Sequence, residues 1–291
     1  MTDTKPTAFY DPKLRWQKSS VQLIHELFDV VPRSQAATSV IFGIPGKEYL
    51  NTHDDCMIAS NCTYEIEGGI SLYGEGAFLS DVRSTAEHTW HLIHACHRDL
   101  PSEIEQARKS WDRRDLWKPP CELSNMIILI IGNGRIGGMI SDIAKAYRMN
   151  VHITDNTIDR RDLLGFAGMA DFVTLHCDLN PTSRGMIDQE FLSRMKDSAF
   201  LINTARAEIV NKDALIYALR NKWIRGYAAD VYWNEFDTSP SILSGLLSKQ
   251  FEGLPAIFTP HIAGSTVETW TKTEHFIINK AYTVIQERMN K

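Results

Sequence analysis

No apolar run in this chain is long enough to cross a bilayer: the longest, Met126 to Ile131, has six residues, where a spanning helix needs about 20. The opening Met1-Thr-Asp-Thr-Lys-Pro6 is polar and lacks the apolar core of a signal peptide. A cytoplasmic protein is therefore expected. Cysteine is scarce as well. Cys56, Cys62, Cys96, Cys121 and Cys177 are odd in number and contain no Cys-x-x-Cys pair, which speaks against both a disulfide framework and a zinc ribbon. Reduced thiols in packing roles are the simpler reading. Nor is there an excess of positive charge: 31 basic against 36 acidic residues give a formal net charge of −5 and a pI near 6.1. Nucleic acid and anionic membranes thus meet no broad attractive field, and an anionic small molecule must be held by local arginines or helix N-termini. Internal repeats and low-complexity tracts are absent too.

What is present reads as ordinary globular protein. A length of 291 residues with 43% hydrophobic and 23% charged content suits two domains, each large enough to bury a core. From about residue 126, short apolar runs alternate with amphipathic helical patterns. Met126–Ile131, Val151–Ile153, Phe172–Leu175, Ala199–Ile202, Gly226–Ala229 and Ala256–Phe258 read as strands, and continuous apolar strands separated by helices indicate a parallel sheet covered on both faces. Ile136, Met139, Ile140, Ile143 and Tyr147 recur at spacings of three and four, one helical stripe facing that sheet.

The expected architecture is α/β: a Rossmann-type doubly wound parallel sheet over residues 85–269, and a smaller, shortened flavodoxin-like α/β substrate domain over 1–84 with 270–291. In the smaller part a helix is expected around Ser20–Phe28, strands at Ser39–Ile44 and Cys56–Ala59, and turns at Gly43–Gly46 and Gly68–Gly76. No second βα unit is visible before Ser39. A helix from Ser84 to Arg98 leads into a polar connection, Pro101 to Pro120, whose Trp111 and Trp117 are expected to cover an interface. A last helix, Val267 to Met289, is expected to return to the first domain.

Four short motifs give the second half its chemistry: Gly132-Asn-Gly-Arg-Ile-Gly137, Asn203-Thr-Ala-Arg206, Asp230-Val-Tyr-Trp-Asn-Glu235 and Thr259-Pro-His261. A Gly-x-Gly-x-x-Gly turn alone is a weak signal, because three glycines recur by chance. Here it directly follows an apolar strand and opens an amphipathic helix, so the glycines permit a tight turn and close backbone approach while the helix N-terminus meets a pyrophosphate. Asp155 lies 18 residues beyond Gly137, at the end of the next strand. Its carboxylate can accept hydrogen bonds from an adenosine ribose and repel a 2′-phosphate, which favours NAD over NADP. The competing readings are a glycine turn followed by a surface aspartate, and a methyltransferase site for an adenosyl cofactor. The downstream motifs argue against both.

Hydride transfer to or from a 2-keto or 2-hydroxy acid needs a cation for the carboxylate and a group that exchanges the hydroxyl proton. Arg206, Glu235 and His261 are the candidates, each placed after an expected strand, where an open doubly wound sheet has its ligand crevice. Arginine suits the first role because its planar fork binds carboxylate in bidentate fashion. Histidine suits the second because its ordinary pKa lies near neutrality, and a neighbouring carboxylate such as Glu235 would orient the ring. Singly, each has a plain alternative: a solvated strand-end arginine, a loop charge, a polar residue after Pro260. Their joint placement favours catalysis.

With these motifs the chain resembles the D-isomer-specific 2-hydroxyacid dehydrogenase family, which includes phosphoglycerate dehydrogenases and glyoxylate/hydroxypyruvate reductases. The similarity runs from about Cys56 to the C-terminus through Thr85-Ala-Glu-His-Thr-Trp90, Gly132 to Gly138, Val173-Thr-Leu-His-Cys177, Leu201 to Arg206, Asp230 to Glu235 and Thr259-Pro-His-Ile-Ala-Gly264. The resemblance implies an NAD-dependent oxidoreductase in which Arg206 binds the substrate carboxylate and Glu235 with His261 forms the acid/base relay. Asp230 would contact the nicotinamide carboxamide. Gly132, Gly134, Arg135, Ile136, Gly137, Asp155, His176, Cys177, Thr204, Ala205 and Gly264 would hold the cofactor together with Arg206, Asp230 and His261. The loop Ser60–Thr63, through Asn61, Cys62 and Thr63, would offer backbone groups to substrate beside Arg206 and His261. A homodimer is implied, with the helix containing Glu87 near the contact.

Several positions depart from the family pattern. Ala207 stands where a glycine usually follows the arginine, Phe236 where a proline usually follows the glutamate, and the region of Ser124 lacks the glycine usual before the first strand. The N-terminal domain is short, with a contracted loop after Thr63. Formate oxidation is disfavoured, since that chemistry goes with glutamine at the position of Glu235. Glyoxylate, hydroxypyruvate, longer keto acids and a phosphorylated substrate stay open, with Lys13, Arg15, Arg33 and Lys47 as candidate phosphate partners. An NAD-sensing regulatory protein on the same fold is the alternative to an enzyme.

His88, His91, His94 and His97 recur every third residue on an expected helix and invite a metal-site reading. Each step of three turns the helix by about −60°, so the set fans around it and at most two neighbours share one ligand. Polar packing is the favoured reading, and no metal is expected.

Overall fold

The computed structural model describes residues 5–10, 14, 16–31, 40–42, 57–60, 69–72, 78–79, 82–111, 120–155, 157–236 and 238–289. The expected turn Gly43–Gly46, much of Gly68–Gly76, and Trp117 lie outside these residues. The chain divides into two units, Met1–Val82 with Gly264–Lys291, and Arg83–Ala263.

In the first unit, β1 (Thr7–Tyr10), β2 (Asp29–Val30), β3 (Val40–Phe42) and β4 (Met57–Ala59) form a parallel sheet in the order β2-β1-β3-β4, the start of the flavodoxin-like order. Helix α1 (Lys18–Leu27) and the C-terminal helix α9 (Val267–Met289) belong to it. Along α9 the buried residues Thr273, Glu274, Ile277, Ile278, Ala281 and Ile285 keep the three-and-four spacing of a stripe laid on a core. Phe28, just past α1, is clasped edge-to-face between Phe42 of the sheet at 5.4 Å and Tyr282 of α9 at 5.6 Å. Two strands escape sequence inspection. β1 is four residues and β2 only two, too short for period-two alternation to register, yet β2 supplies a strand before Ser39 where none is visible in the sequence.

The N-terminus of α1 is completed from far along the chain. Its cap residue Gln17 makes no side-chain cap, and the buried Glu274 accepts the Gln17 backbone N–H at 3.1 Å. One of the donors that a helix start leaves unpaired is thus met by α9.

The second unit holds α2 (Ser84–His97), α3 (Leu100–Lys109), β5 (Ile127–Ile131), α4 (Arg135–Ala146), β6 (Asn150–Thr154), α5 (Arg160–Met169), β7 (Phe172–Leu175), α6 (Gln189–Arg194), β8 (Phe200–Asn203), α7 (Lys212–Arg220), β9 (Gly226–Ala229), α8 (Pro240–Phe251) and β10 (Ala256–Phe258). Its sheet runs β10-β9-β8-β7-β5-β6 with every pairing parallel. Alternate residues go to opposite faces, as the pleat requires. Leu129 and Ile131 enter one core with Phe191, Leu215 and Phe251, while Ile128 and Ile130 enter another with Ile140, Ala144 and Ile93.

The six strands are those expected, and two details add to that reading. Beyond β5 only β6 follows on that side among the described residues, one strand fewer than the three-two-one-four-five-six dinucleotide-binding order. As an edge strand β6 is less covered, and Ile153 is 36% exposed. The second is α3, which occupies the first half of the expected polar connection. It buries none of its residues, and its sequence is mostly polar. Pro101 at its first turn and the Glu105–Arg108 pair at 2.8 Å are local helix determinants. Trp111, beyond its end, is 93% exposed.

Replacing Glu274 by alanine should lower the stability of the first unit by about 1–3 kcal/mol, the cost of an unmet buried donor, with a smaller loss for Glu274→Gln, whose amide oxygen still accepts. Urea denaturation of both variants measures the difference.

Candidate functional site

The turn from β5 into α4 is shaped by close backbone packing. Gly132 has φ +112°, and its N–H donates to the Thr154 carbonyl oxygen at 2.9 Å. A Cβ there would lie 2.5 Å from the His176 carbonyl carbon and oxygen and 2.6 Å from the Cys177 nitrogen, and one on Gly137 would lie 1.9 Å from the Gly132 oxygen. Both glycines are imposed by the protein's own close packing. Gly134 is different: it caps α4 without a side-chain partner, and a Cβ on it would meet nothing within 4 Å. The open space at a helix N-terminus, with first-turn N–H groups that have no acceptor inside the helix, fits a pyrophosphate. Arg135 and Ile136 form the first turn of α4.

Asp155 follows β6 with its carboxylate in solvent. It accepts the Thr157 hydroxyl at 2.6 Å and the Thr157 N–H at 2.8 Å. Those bonds, the hydroxyl first, hold the carboxyl below its usual range.

His176 and Cys177 follow β7. The His176 ring bonds through Nε2 to the Thr174 hydroxyl at 2.8 Å, and desolvation pushes its pKa down to about 3, so the ring is neutral at neutral pH. Burial pushes the Cys177 thiol up to about 11, leaving it a thiol.

At the end of β8 the fully buried Asn203 braces the next three residues. Its Oδ1 accepts the Ala205 N–H at 3.0 Å, and its Nδ2 donates to the Arg206 carbonyl at 2.9 Å. Thr89 donates its hydroxyl proton to the Thr85 carbonyl at 2.7 Å. The Thr204 hydroxyl, 2.8 Å from that of Thr89, is therefore the donor to it. Arg206 donates from Nη1 to the Ala205 carbonyl at 2.7 Å.

The segment after β9 carries two carboxylates. Asp230, buried, accepts the Thr259 hydroxyl at 2.5 Å, the Ile262 N–H at 2.9 Å and the Ala263 N–H at 2.7 Å. Between the two carboxylates, Trp233 donates from its indole to the Val210 carbonyl at 3.0 Å, and Tyr232 donates to Gln250 at 2.8 Å. Glu235 is thereby set opposite His261. Glu235 Oε1 lies 2.8 Å from His261 Nδ1, and its Oε2 accepts the Tyr232 N–H at 3.3 Å. A carboxylate that accepts on both oxygens fixes the tautomer: Nδ1 carries the proton and Nε2 is the nitrogen left to exchange one. Phe236 lies 5.5 Å from the imidazole, ring centre to ring centre.

The structure thus brings Glu235 and His261 into direct contact and places Arg206 at the end of the strand next to the one that leads to Glu235. Gly264 is the first residue of the segment that belongs to the other unit. Asn61, Cys62 and Thr63, and the basic residues Lys13, Arg15, Arg33 and Lys47, lie outside the described residues. Among the α2 histidines, His88 bonds to Thr259 at 2.9 Å, His94 to Tyr147 at 3.1 Å and His97 to the Cys121 carbonyl at 2.8 Å. Three supporting residues had not been picked out from the sequence, although all stand inside the motifs: Asn203, Thr259 and Trp233, the last of which reads as ordinary core.

The chain is similar to known proteins. The family model described as D-isomer specific 2-hydroxyacid dehydrogenase, NAD binding domain, matches residues 90–263. A protein of Staphylococcus haemolyticus named as a 2-hydroxyacid dehydrogenase is 35% identical over 210 residues, 67% of this chain and 63% of that one. The D-3-phosphoglycerate dehydrogenase of Bacillus subtilis is 32% identical over 196 residues, 64% of this chain and 35% of that one. The match therefore spans less than two thirds of either relative's length. Among solved structures, the NAD-complexed D-isomer specific 2-hydroxyacid dehydrogenase from Lactobacillus delbrueckii ssp. bulgaricus has a TM-score of 0.73 at 21% identity, covering 97% of each chain. That likeness is one of fold.

The two kinds of glycine should separate on substitution. Gly134→Ala is expected to keep the melting temperature within about 2 °C and weaken NADH binding, while Gly137→Ala, which collides with backbone, should lose several kcal/mol of stability and melt several degrees lower. Differential scanning fluorimetry with an NADH titration reads both. His176 makes a second prediction. Its folded value of about 3 lies below the ordinary histidine value of 6.5, so its contribution to stability is complete above pH 6.5. It is lost as pH falls from 6.5 toward 3, because the unfolded chain takes up a proton that the folded ring refuses. His176→Asn should flatten the fall of stability over that window by up to about 1.4 kcal/mol per pH unit, measured by urea unfolding at stepped pH.

Proposed function

Because the chain belongs to the D-isomer specific 2-hydroxyacid dehydrogenase family, we propose that it interconverts a small 2-keto acid and its D-2-hydroxy acid with NAD as cofactor. The observation that carries this reading is the 2.8 Å contact of His261 Nδ1 with Glu235 Oε1, at the carboxyl ends of adjacent strands in a sheet whose first turn is built to admit a pyrophosphate. NAD, when bound, supplies or takes the hydride.

The remaining steps belong to the chain. Arg206, with its backbone braced by Asn203, binds the substrate carboxylate through its guanidinium fork. In the reducing direction protonated His261 gives the proton on Nε2 to the carbonyl oxygen as that oxygen gains negative charge; in the oxidising direction neutral Nε2 takes the hydroxyl proton. Glu235 keeps the ring in the tautomer that leaves Nε2 on the reacting side and stabilises the imidazolium when it forms. The neutral His176 and un-ionised Cys177 put no charge where the cofactor would lie. Asp155 favours NAD over NADP by repelling a 2′-phosphate. The smaller unit serves as substrate domain, with Asn61, Cys62 and Thr63 offering backbone groups to the substrate, and the protein works as a cytoplasmic homodimer, as the resemblance to the family implies.

The test is NADH oxidation by purified protein over glyoxylate, pyruvate, hydroxypyruvate, phosphohydroxypyruvate and 2-ketoglutarate. At least one should turn over, and His261→Ala should lower kcat by about 10²–10⁴-fold, the usual span of general acid–base catalysis, while NADH binding followed by fluorescence is kept. Tight NADH binding without turnover of any keto acid would instead support the NAD-sensing reading.

A further inference from the structure

We propose that His88, on α2, is a positioning residue that holds the His261 segment through a relay of Thr259 and Asp230; the proposal rests on the reading of His261 as the proton-exchanging group. Three observations lead there. His261 is a non-glycine residue at φ +53°, a left-handed conformation that persists only where its surroundings over-determine it. The bonds around it do so: Thr259 N–H donates to the Ala229 carbonyl at 2.9 Å and His261 N–H to the Thr259 carbonyl at 3.0 Å. Asp230 then takes the amides of the next two residues, Ile262 and Ala263. The loop that presents the imidazole is therefore anchored on one carboxylate.

The third observation is what anchors the carboxylate's own partner. Thr259 gives its hydroxyl proton to Asp230 Oδ1 at 2.5 Å. A hydroxyl has one proton, so the Thr259 oxygen can only accept from its second partner, His88 Nε2 at 2.9 Å. The bond direction fixes His88 with its proton on Nε2, which also lies 3.5 Å from Asp230 Oδ1. Burial pushes His88 below the ordinary histidine value, with His91 adding to that and Asp230 opposing it, so the ring is neutral at neutral pH. The relay requires a proton on Nε2, which the neutral Nε2–H tautomer supplies. His88 makes this contact from 171 residues away in sequence, which ties the His261 segment to α2 as well as to the sheet.

Two variants separate a donor from a packing role. Glutamine extends its amide nitrogen about as far from Cα as imidazole Nε2 and can still donate to Thr259; leucine fills the volume and cannot. His88→Leu should lower kcat by about 10–100-fold, the scale of a misplacement near one ångström, with KM for NADH little changed, and His88→Gln should recover most of that loss. Thr259→Val breaks the same relay, so adding His88→Leu to it should cost little more. A substrate-independent reading comes from ¹⁵N-histidine NMR. His88 should show the neutral Nε2–H tautomer, and His261, held with Nδ1–H in the unmodified protein, should give broadened or mixed-tautomer signals in His88→Leu.

Unchanged His261 signals in His88→Leu would overturn the proposal, as would His88→Gln as impaired as His88→Leu or an equal loss of NADH affinity in both. Altered His261 signals in a protein that reduces no keto acid would leave the relay standing and remove the catalytic reading instead.

Discussion

Asp230 directly follows β9 with its side chain 2% exposed, and a carboxylate so far from water is tolerated only when donors meet its oxygens. All three donors that do so, the Thr259 hydroxyl and the Ile262 and Ala263 amides, come from the short segment that leaves β10. One buried group thus couples the ends of two adjacent strands, and the side chains on either side of the coupling, Glu235 and His261, are the pair in contact. A sheet edge could not provide this. β9 is flanked on both sides by parallel neighbours, so the chain beyond it has little freedom except at the loop, and the carboxylate removes much of that.

The same economy governs the opposite side of the sheet. Strand β5 is the point where the connection reverses: β6 lies on one side and β7 on the other, which opens a crevice over the β5–α4 turn. At that turn the Gly132 backbone packs against that of His176 and Cys177, too close for any Cβ. Gly134 alone among the three motif glycines faces open space. A turn pinned on one side and vacant on the other is what a ligand with two phosphates requires, and the NAD-binding family match over residues 90–263 agrees with it.

Much of the larger unit was legible before folding. Its strands are short apolar runs set between helices, so Phe172–Leu175, Gly226–Ala229 and Ala256–Phe258 stand out with the limits the structure gives them. The glycine turn, the arginine after β8 and the residues Glu235 and His261 could be named from motif and strand-end position. The smaller unit was less readable. A strand of two residues carries no periodicity, and α3, mostly polar and with none of its residues buried, reads as part of a connection. The supporting residues were hidden for another reason. Asn203, Thr259 and Trp233 act through bonds to backbone or to residues far along the chain, and a threonine that braces an aspartate looks the same in sequence as one that does not.

Local chemistry therefore determined what could be decided within a few residues: alternating apolar strands and helices, a turn only glycine can make, and side chains of suitable acidity placed after strands. Tertiary structure decided everything that depends on closure between distant segments. Glu274 completes the start of α1 across 257 residues. Glu235 fixes which nitrogen of His261 carries the proton across 26. His88, one of four similar histidines on one helix, is singled out because the sheet brings Thr259 against it. A hydrogen bond needs its partner within about 3 Å and correctly aimed. Sequence spacing sets that only for neighbours; between distant residues, the packing of the whole unit sets it.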